Sequence, residues 1–166
     1  KLVVVFGFYT LGQSSLGLHR LVVFVDRGVD ASLVSFALAI EAVVALFSTL
    51  AFGFLFERYP ARFVGSAAIL MMTVSAVLYI TGEGAAGMFA AFIAFGLAIG
   101  GNLLLQNYIW PDYFGRQNLG SIRGIVMPVI LVFASIGPPM AGYVFDLSGS
   151  YNSAWWVGVV LLVTAA

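Results

Sequence analysis

Residues 32–56 read SLVSFALAIEAVVALFSTLAFGFLF, twenty-five residues of which one, Glu41, is ionisable. At about 1.5 Å per residue, a helix of this length crosses a hydrocarbon core of about 30 Å. Backbone polar groups in lipid must be satisfied within the protein, and a helix does this within one segment. A membrane barrel instead needs strands of about 10 residues that alternate apolar and polar side chains. This run is too long and too uniformly apolar for that, so it predicts a membrane-spanning helix with Ser32 as its N-cap.

The same reading extends in both directions. Apolar runs at 2–25, 63–81, 85–110 and 122–145 are each long enough to span once, and a sixth begins at 154 and continues to 166. Polar punctuation separates them: Asp26-Arg27-Gly28, Glu57-Arg58-Tyr59-Pro60, Gly82-Glu83-Gly84, Pro111-Asp112, and Asp146 through Ser150. Pro111 is expected to stop the fourth helix. The sixth run is about 20 Å long as a helix, so it predicts a truncated span. With Lys1 at one end and an apolar run at the other, the chain reads as a fragment of a longer membrane protein. The expected fold is all-α, a polytopic transmembrane helix bundle of six spans.

Composition supports this. The chain has 166 residues, 62% hydrophobic and 8% charged, against about 25% charged in an ordinary soluble domain. Seven basic and seven acidic residues are too few to cover a soluble surface. The mean hydropathy of +1.08 excludes a soluble globular domain and a disordered chain. With no net charge, no basic surface for nucleic acid is implied. The absence of cysteine removes disulfides and thiolate chemistry. One histidine and no His-Glu cluster leave no metal site, and no phosphate-binding glycine motif is present, so no cofactor is expected. Ser14 and Ser15 lie near His19 but lack an orienting acid, which argues against an enzyme.

Basic residues set the orientation. Lys1, Arg58, Arg62, Arg116 and Arg123 fall in loops on one side, and Arg27 on the other. The first side is therefore expected to be cytoplasmic, in a multi-pass protein of the cell membrane surrounded by the lipid bilayer.

Ionisable residues inside a membrane are costly and point to function. Three qualify: His19, Arg20 and Glu41. Glu41 lies about 13 Å along its helix from Ser32, near the bilayer centre. His19 and Arg20 lie about 9 to 11 Å from Asp26. On the first helix Tyr9, Gln13 and Arg20 share a stripe, while Gly12, Ser15 and His19 share another. On the second, Glu41, Ala45, Ser48 and Phe52 share a face that resembles a cavity wall. Glu41 is expected to take up a proton or meet a cation, or else to be a structural acid paired with Arg20. Arg20 is expected to snorkel toward the headgroups or to hold an anionic substrate by its fork. His19 is expected to relay protons or to hydrogen-bond a neighbouring helix. In the fourth helix, Gly96 and Gly100 form a small-residue packing face. Asn102 and Gln106, one turn apart, would line a cavity or bond other helices. Pro128, Pro138 and Pro139 predict kinks in the fifth.

Two loops carry a resemblance. The stretch Gly53-Phe54-Leu55-Phe56-Glu57-Arg58-Tyr59-Pro60-Ala61-Arg62 resembles the G-x-L-x-D-R-x-x-x-R motif of the major facilitator superfamily. Here Glu57 stands in place of the usual aspartate, and Pro60 sits near the usual glycine. The stretch from Phe114 through Arg116, Asn118 and Arg123 to Gly124, followed by Ile136 to Gly142 and Asp146 to Tyr151, is similar to helices ten to twelve of that superfamily. The likeness is strongest to monocarboxylate and oxalate/formate carriers. His19 followed by Asp26-Arg27-Gly28 is similar to the end of helix seven there. The resemblance implies the C-terminal six-helix half of a twelve-helix carrier, whose missing N-terminal half is the partner of this one. It implies a small-molecule substrate bound between halves near the midplane. Gly53, Glu57, Arg58, Arg62, Arg116 and Arg123 would form a gating latch at the cytoplasmic surface. Transport of an organic anion such as a monocarboxylate, coupled to protons, is the expected function. Efflux of hydrophobic compounds and a non-transporting membrane scaffold are the alternatives.

Overall fold

The computed structural model describes residues 1–117, 119–149 and 151–166, with the backbone alone at Leu18. Asn118 and Ser150, members of the loop stretches above, lie outside the described residues. Six helices account for nearly the whole described chain: α1 (Leu2–Asp26), α2 (Ala31–Arg58), α3 (Ala61–Thr81), α4 (Gly84–Phe114), α5 (Leu119–Ser148) and α6 (Asn152–Ala165). No strand occurs among the described residues. The first five are long and apolar enough to cross a membrane. With 14 residues, α6 is about 21 Å long, shorter than the hydrocarbon core. The molecule is an all-α polytopic membrane bundle, as the apolar runs predicted.

Two boundaries differ from expectation. Asp30, not Ser32, caps α2: its carboxylate accepts the Ser32 N–H at 2.8 Å and the Ser32 hydroxyl as well. Asparagine, aspartate and serine are nearly equal as caps, so the sequence left the choice open. Those two donors hold the Asp30 carboxyl below the usual carboxylate range. At the other boundary, α4 continues through Pro111 to Phe114. Proline removes one N–H, that which would bond Asn107, but its own carbonyl stays available. The Gly115 N–H takes it at 3.0 Å, and the helix ends there because Gly115 adopts φ 72°, a left-handed conformation open to glycine.

Apart from α3 and α4, the main packing is not between sequence neighbours. α4 lies between α2 and α3, while α1 lies between α5 and α6, and α3 meets α6. Exchanging α1 with α4, α2 with α5 and α3 with α6 maps one set of contacts onto the other. Helices three apart run in opposite directions through a membrane, so the contacts follow an inverted three-plus-three repeat. The α1–α2 hairpin diverges after its short loop.

Small residues allow the close approaches. A Cβ on Gly96 would lie 2.7 Å from the Glu41 carbonyl oxygen, and one on Gly100 2.6 Å from the Ser48 Cβ. The face of α2 carrying Glu41, Ser48 and Phe52 is therefore pressed onto α4, and is not the open cavity wall that the sequence suggested. Ser48 donates its hydroxyl to the Leu97 carbonyl at 2.6 Å across this contact. On the other side, a Cβ on Gly137 of α5 would lie 2.8 Å from the Leu11 carbonyl oxygen of α1. The outward faces of α2 and α5, with Phe47, Leu50, Ile125 and Leu131 exposed, are apolar.

Candidate transport site

α1 presents Arg20 and α2 presents Glu41 to the inside of the bundle. Arg20 Nη1 donates to Glu41 Oε2 at 2.6 Å and Nη2 to Oε1 at 3.0 Å. This is a two-pronged guanidinium–carboxylate contact, which matches the fork of arginine to the carboxylate plane. Both side chains are more than nine-tenths buried. It is the one ion pair among the described residues. The two helix backbones scarcely touch, so the length of the arginine side chain spans the gap between them.

Arg20 therefore does not snorkel, and the correction has a physical reason. Snorkelling exchanges a poor environment for water and headgroups. Here the carboxylate satisfies two prongs, and aromatic faces cover the rest. The guanidinium carbon lies 4.0 Å from the Phe95 ring centre and 5.2 Å from that of Phe92, within range of a cation–π attraction. The Tyr79 hydroxyl accepts a longer bond of 3.4 Å from Nη1. Arg20 Nε alone has no partner. Four helices thus contribute: α1 the cation, α2 the anion, α3 Tyr79, and α4 the two phenylalanines.

The remaining polar candidates stand apart from this pair. Gln13 and Gln106 are half-buried and Asn102 is buried; none hydrogen-bonds to Arg20 or Glu41 among the described residues. Asn102 lies beside the Tyr9 hydroxyl, yet its Oδ1 and that hydroxyl both lack a hydrogen bond of normal geometry. His19 takes the neighbouring-helix role: its Nε2 lies 3.3 Å from the Pro138 carbonyl of α5. A carbonyl only accepts, so Nε2 carries the proton. Its ring stacks on Tyr151 with centres 4.6 Å apart. Pro128, Pro138 and Pro139 all lie inside α5, which runs through them as one helix of 30 residues.

The loop-motif residues gather at the opposite end of the bundle from Arg27. Glu57, Arg58 and Arg62 are exposed and form no ion pair among the described residues. Arg58 lies over Phe54 at 4.1 Å and Arg62 over Phe63 at 4.7 Å. At Gly53 a Cβ would meet Leu104 at an ordinary 3.6 Å, so no close helix approach requires this glycine. Arg116 borders a cavity of about 560 Å³ between the α2–α3 and α4–α5 turns, together with Tyr59, Tyr108 and Asp112. Arg123 donates to Asn107 Oδ1 at 3.1 Å, tying α5 to α4.

Four contributors were not foreseen. Tyr79, Phe92 and Phe95 had no signal in a chain where aromatic residues make up 15%. Arg27 read as a loop charge, but it caps α3. Its Nη1 donates to the Tyr79 and Gly82 carbonyls at 2.9 and 3.0 Å, and Nη2 to Ile80 at 3.4 Å. A cation placed against the last carbonyls of a helix is the expected partner of that end.

Comparison with known proteins agrees with the loop motifs. Over 153 residues, 90% of the chain, it is 26% identical to monocarboxylate transporter 7 of Homo sapiens. It is 26% identical over 144 residues to monocarboxylate transporter 13 of Bos taurus, and 24% over 147 residues to that of Rattus norvegicus, each covering 85% of the chain. The chain spans about a third of the length of these relatives: 29%, 34% and 33%. No family model matches. No solved structure matches. The similarity extends over most of a chain that is itself a multi-pass bundle of membrane helices.

Proposed function

We propose that this chain, which resembles the monocarboxylate-transporter branch of the major facilitator superfamily, is the C-terminal six-helix half of a secondary carrier for a small organic monocarboxylate. The half works against an N-terminal partner half, with the arginine-rich end in the cytoplasm. The observation that carries this reading is the buried fork between Arg20 and Glu41.

The chemistry follows from what can replace that contact. Arg20 is always charged and needs a carboxylate opposite it. A substrate carboxylate has the same planar pair of oxygens as Glu41. When it takes the fork, Glu41 is left as an unpaired carboxylate in the bundle, which is costly. Binding one proton to the displaced carboxyl removes that cost. The site then holds Arg20 with the substrate anion, beside a neutral Glu41, and its net charge is zero before and after. A neutral site crosses between its two accessible states without moving charge through the low-dielectric core. Release reverses the exchange: the proton leaves Glu41, and its carboxylate returns to Arg20 as the substrate departs. One proton therefore accompanies one monocarboxylate.

The test uses the full-length carrier in proteoliposomes with a labelled short monocarboxylate. An inward proton gradient should drive accumulation in the wild type. Glu41→Gln holds the site in a form that mimics the protonated acid, so it should abolish accumulation while sparing substrate-for-substrate exchange. Unchanged gradient-driven accumulation in Glu41→Gln would overturn the reading.

A further inference from the structure

One residue, Tyr79, is held at both ends by arginine. Its hydroxyl accepts from Arg20 and its carbonyl from Arg27. Around it the rings of Phe24 and Phe92 close a triangle, with centres 5.8 Å (Phe24–Tyr79), 5.5 Å (Tyr79–Phe92) and 6.1 Å (Phe24–Phe92) apart. All three side chains are fully buried. They form a layer between the Arg27 end of the bundle and the Arg20–Glu41 pair. Arg27 also lies over Phe24, at 5.5 Å.

The geometry of the layer ties α1 to α3. Phe24 and Arg27 belong to α1 and its cap, and Tyr79, Ile80 and Gly82 to the end of α3. A path to Arg20 from this end through the ring layer parts Phe24 of α1 from Tyr79 of α3, and so separates α1 from α3. That movement breaks the bonds from Arg27 to the α3 carbonyls. Those carbonyls lack partners within their own helix, so nothing in α3 replaces what they lose.

We infer that Arg27 is a latch that holds the Arg20–Glu41 site shut on its own side of the membrane. It is a positioning residue: it acts through α3 and Tyr79 and does not meet substrate. The inference rests on the Arg20–Glu41 pair being the transport site. It adds that the closed state on this side is stabilised by contacts within one half, apart from any contact with the partner half. An equilibrium between closed and open states set by such a latch shifts when the latch is removed, and apparent affinity on each side shifts with it.

The test uses Arg27→Gln and Arg27→Lys in a full-length carrier without other cysteines. A reporter Leu16→Cys stands one turn from Arg20 at a fully buried position. An impermeant thiol reagent is applied from the Arg27 side. With Arg27→Gln, labelling should rise at least about fivefold. The half-saturating substrate concentration should fall on that side and rise on the other. Arg27→Lys keeps the charge but not the fork, and should lie between. If Arg27→Gln does not fold, Phe24→Leu, which opens the ring layer and leaves the latch, should raise labelling in the same sense. Unchanged labelling, or half-saturation moving the same way on both sides, would overturn the latch. Labelling needs no substrate, so it separates the two proposals. A rise in labelling beside normal proton coupling in Glu41→Gln would keep the latch and remove the pair from transport.

Discussion

Arg20 and Glu41 meet through two parallel contacts, 2.6 and 3.0 Å long, although the helices that carry them diverge from their shared loop. The pair is therefore a bridge across a gap, and removing either member affects both helices. Arg20→Leu leaves an unpaired carboxylate in the bundle and should destabilise the folded carrier by about 3–5 kcal/mol. The double variant Arg20→Leu/Glu41→Leu should recover most of that loss, because two apolar side chains leave no buried charge behind. Thermal unfolding of purified carrier in detergent measures both. Transport should stay absent in the double variant, which separates the pair's chemical role from its structural one.

The α2–α4 contact has no room for a side chain at Gly100, where a Cβ would lie 2.6 Å from Ser48. Gly100→Ala should cost about 1–3 kcal/mol through forced separation of the helices. Gly53→Ala, with 3.6 Å to its nearest neighbour, should be neutral or stabilising by up to about 1 kcal/mol through helix propensity. The same unfolding measurement distinguishes these two glycines.

These glycines also mark how far the sequence could be read. The five long spans were legible because an apolar run of this length has one stable form in lipid. Gly96 and Gly100 were legible because small residues four apart make a flat helix face. Gly53 belongs to a recognisable motif, yet the motif does not reveal that Leu104 stands clear of it. The pairing of Arg20 with Glu41 was one of the alternatives the sequence offered, but helical phase could not choose it over snorkelling, since one helix's phase says nothing about which helix faces it. Packing follows the inverted repeat, in which α1 meets α5 and α6, and this long-range order left no local trace. Arg27 was misread for the same reason: its partners are carbonyls more than fifty residues away. The N-cap of α2 at Asp30 and the end of α4 at Gly115 were near-equal local choices that the sequence left open.

His19 donates to the Pro138 carbonyl and stacks on Tyr151, contacts that support the neighbouring-helix reading over a proton relay. His19→Ala should lower stability by about 1–2 kcal/mol, through the lost hydrogen bond and ring contact. The pH dependence of transport should keep its midpoint. A displaced midpoint in the transport profile of His19→Ala would put the imidazole in the proton pathway.

The proposed orientation is checked by single cysteines at Gly28, Gly84, Tyr59 and Gln117 in a cysteine-free carrier. The first two should react with an impermeant thiol reagent from outside the cell, and the last two only after the membrane is opened. Reversed reactivity would invert the topology and exchange the sides assigned to the Arg27 latch and the arginine-rich loops.

The central claim is that a substrate carboxylate displaces Glu41 from Arg20 and that Glu41 then carries the proton. Infrared difference spectroscopy of the full-length carrier, with and without monocarboxylate, reads this directly. Substrate should produce a protonated-carboxyl stretch and a matching loss of carboxylate signal, and both should vanish in Glu41→Gln. A carboxylate signal that does not change when substrate binds, in a carrier that still accumulates its substrate, would contradict the account.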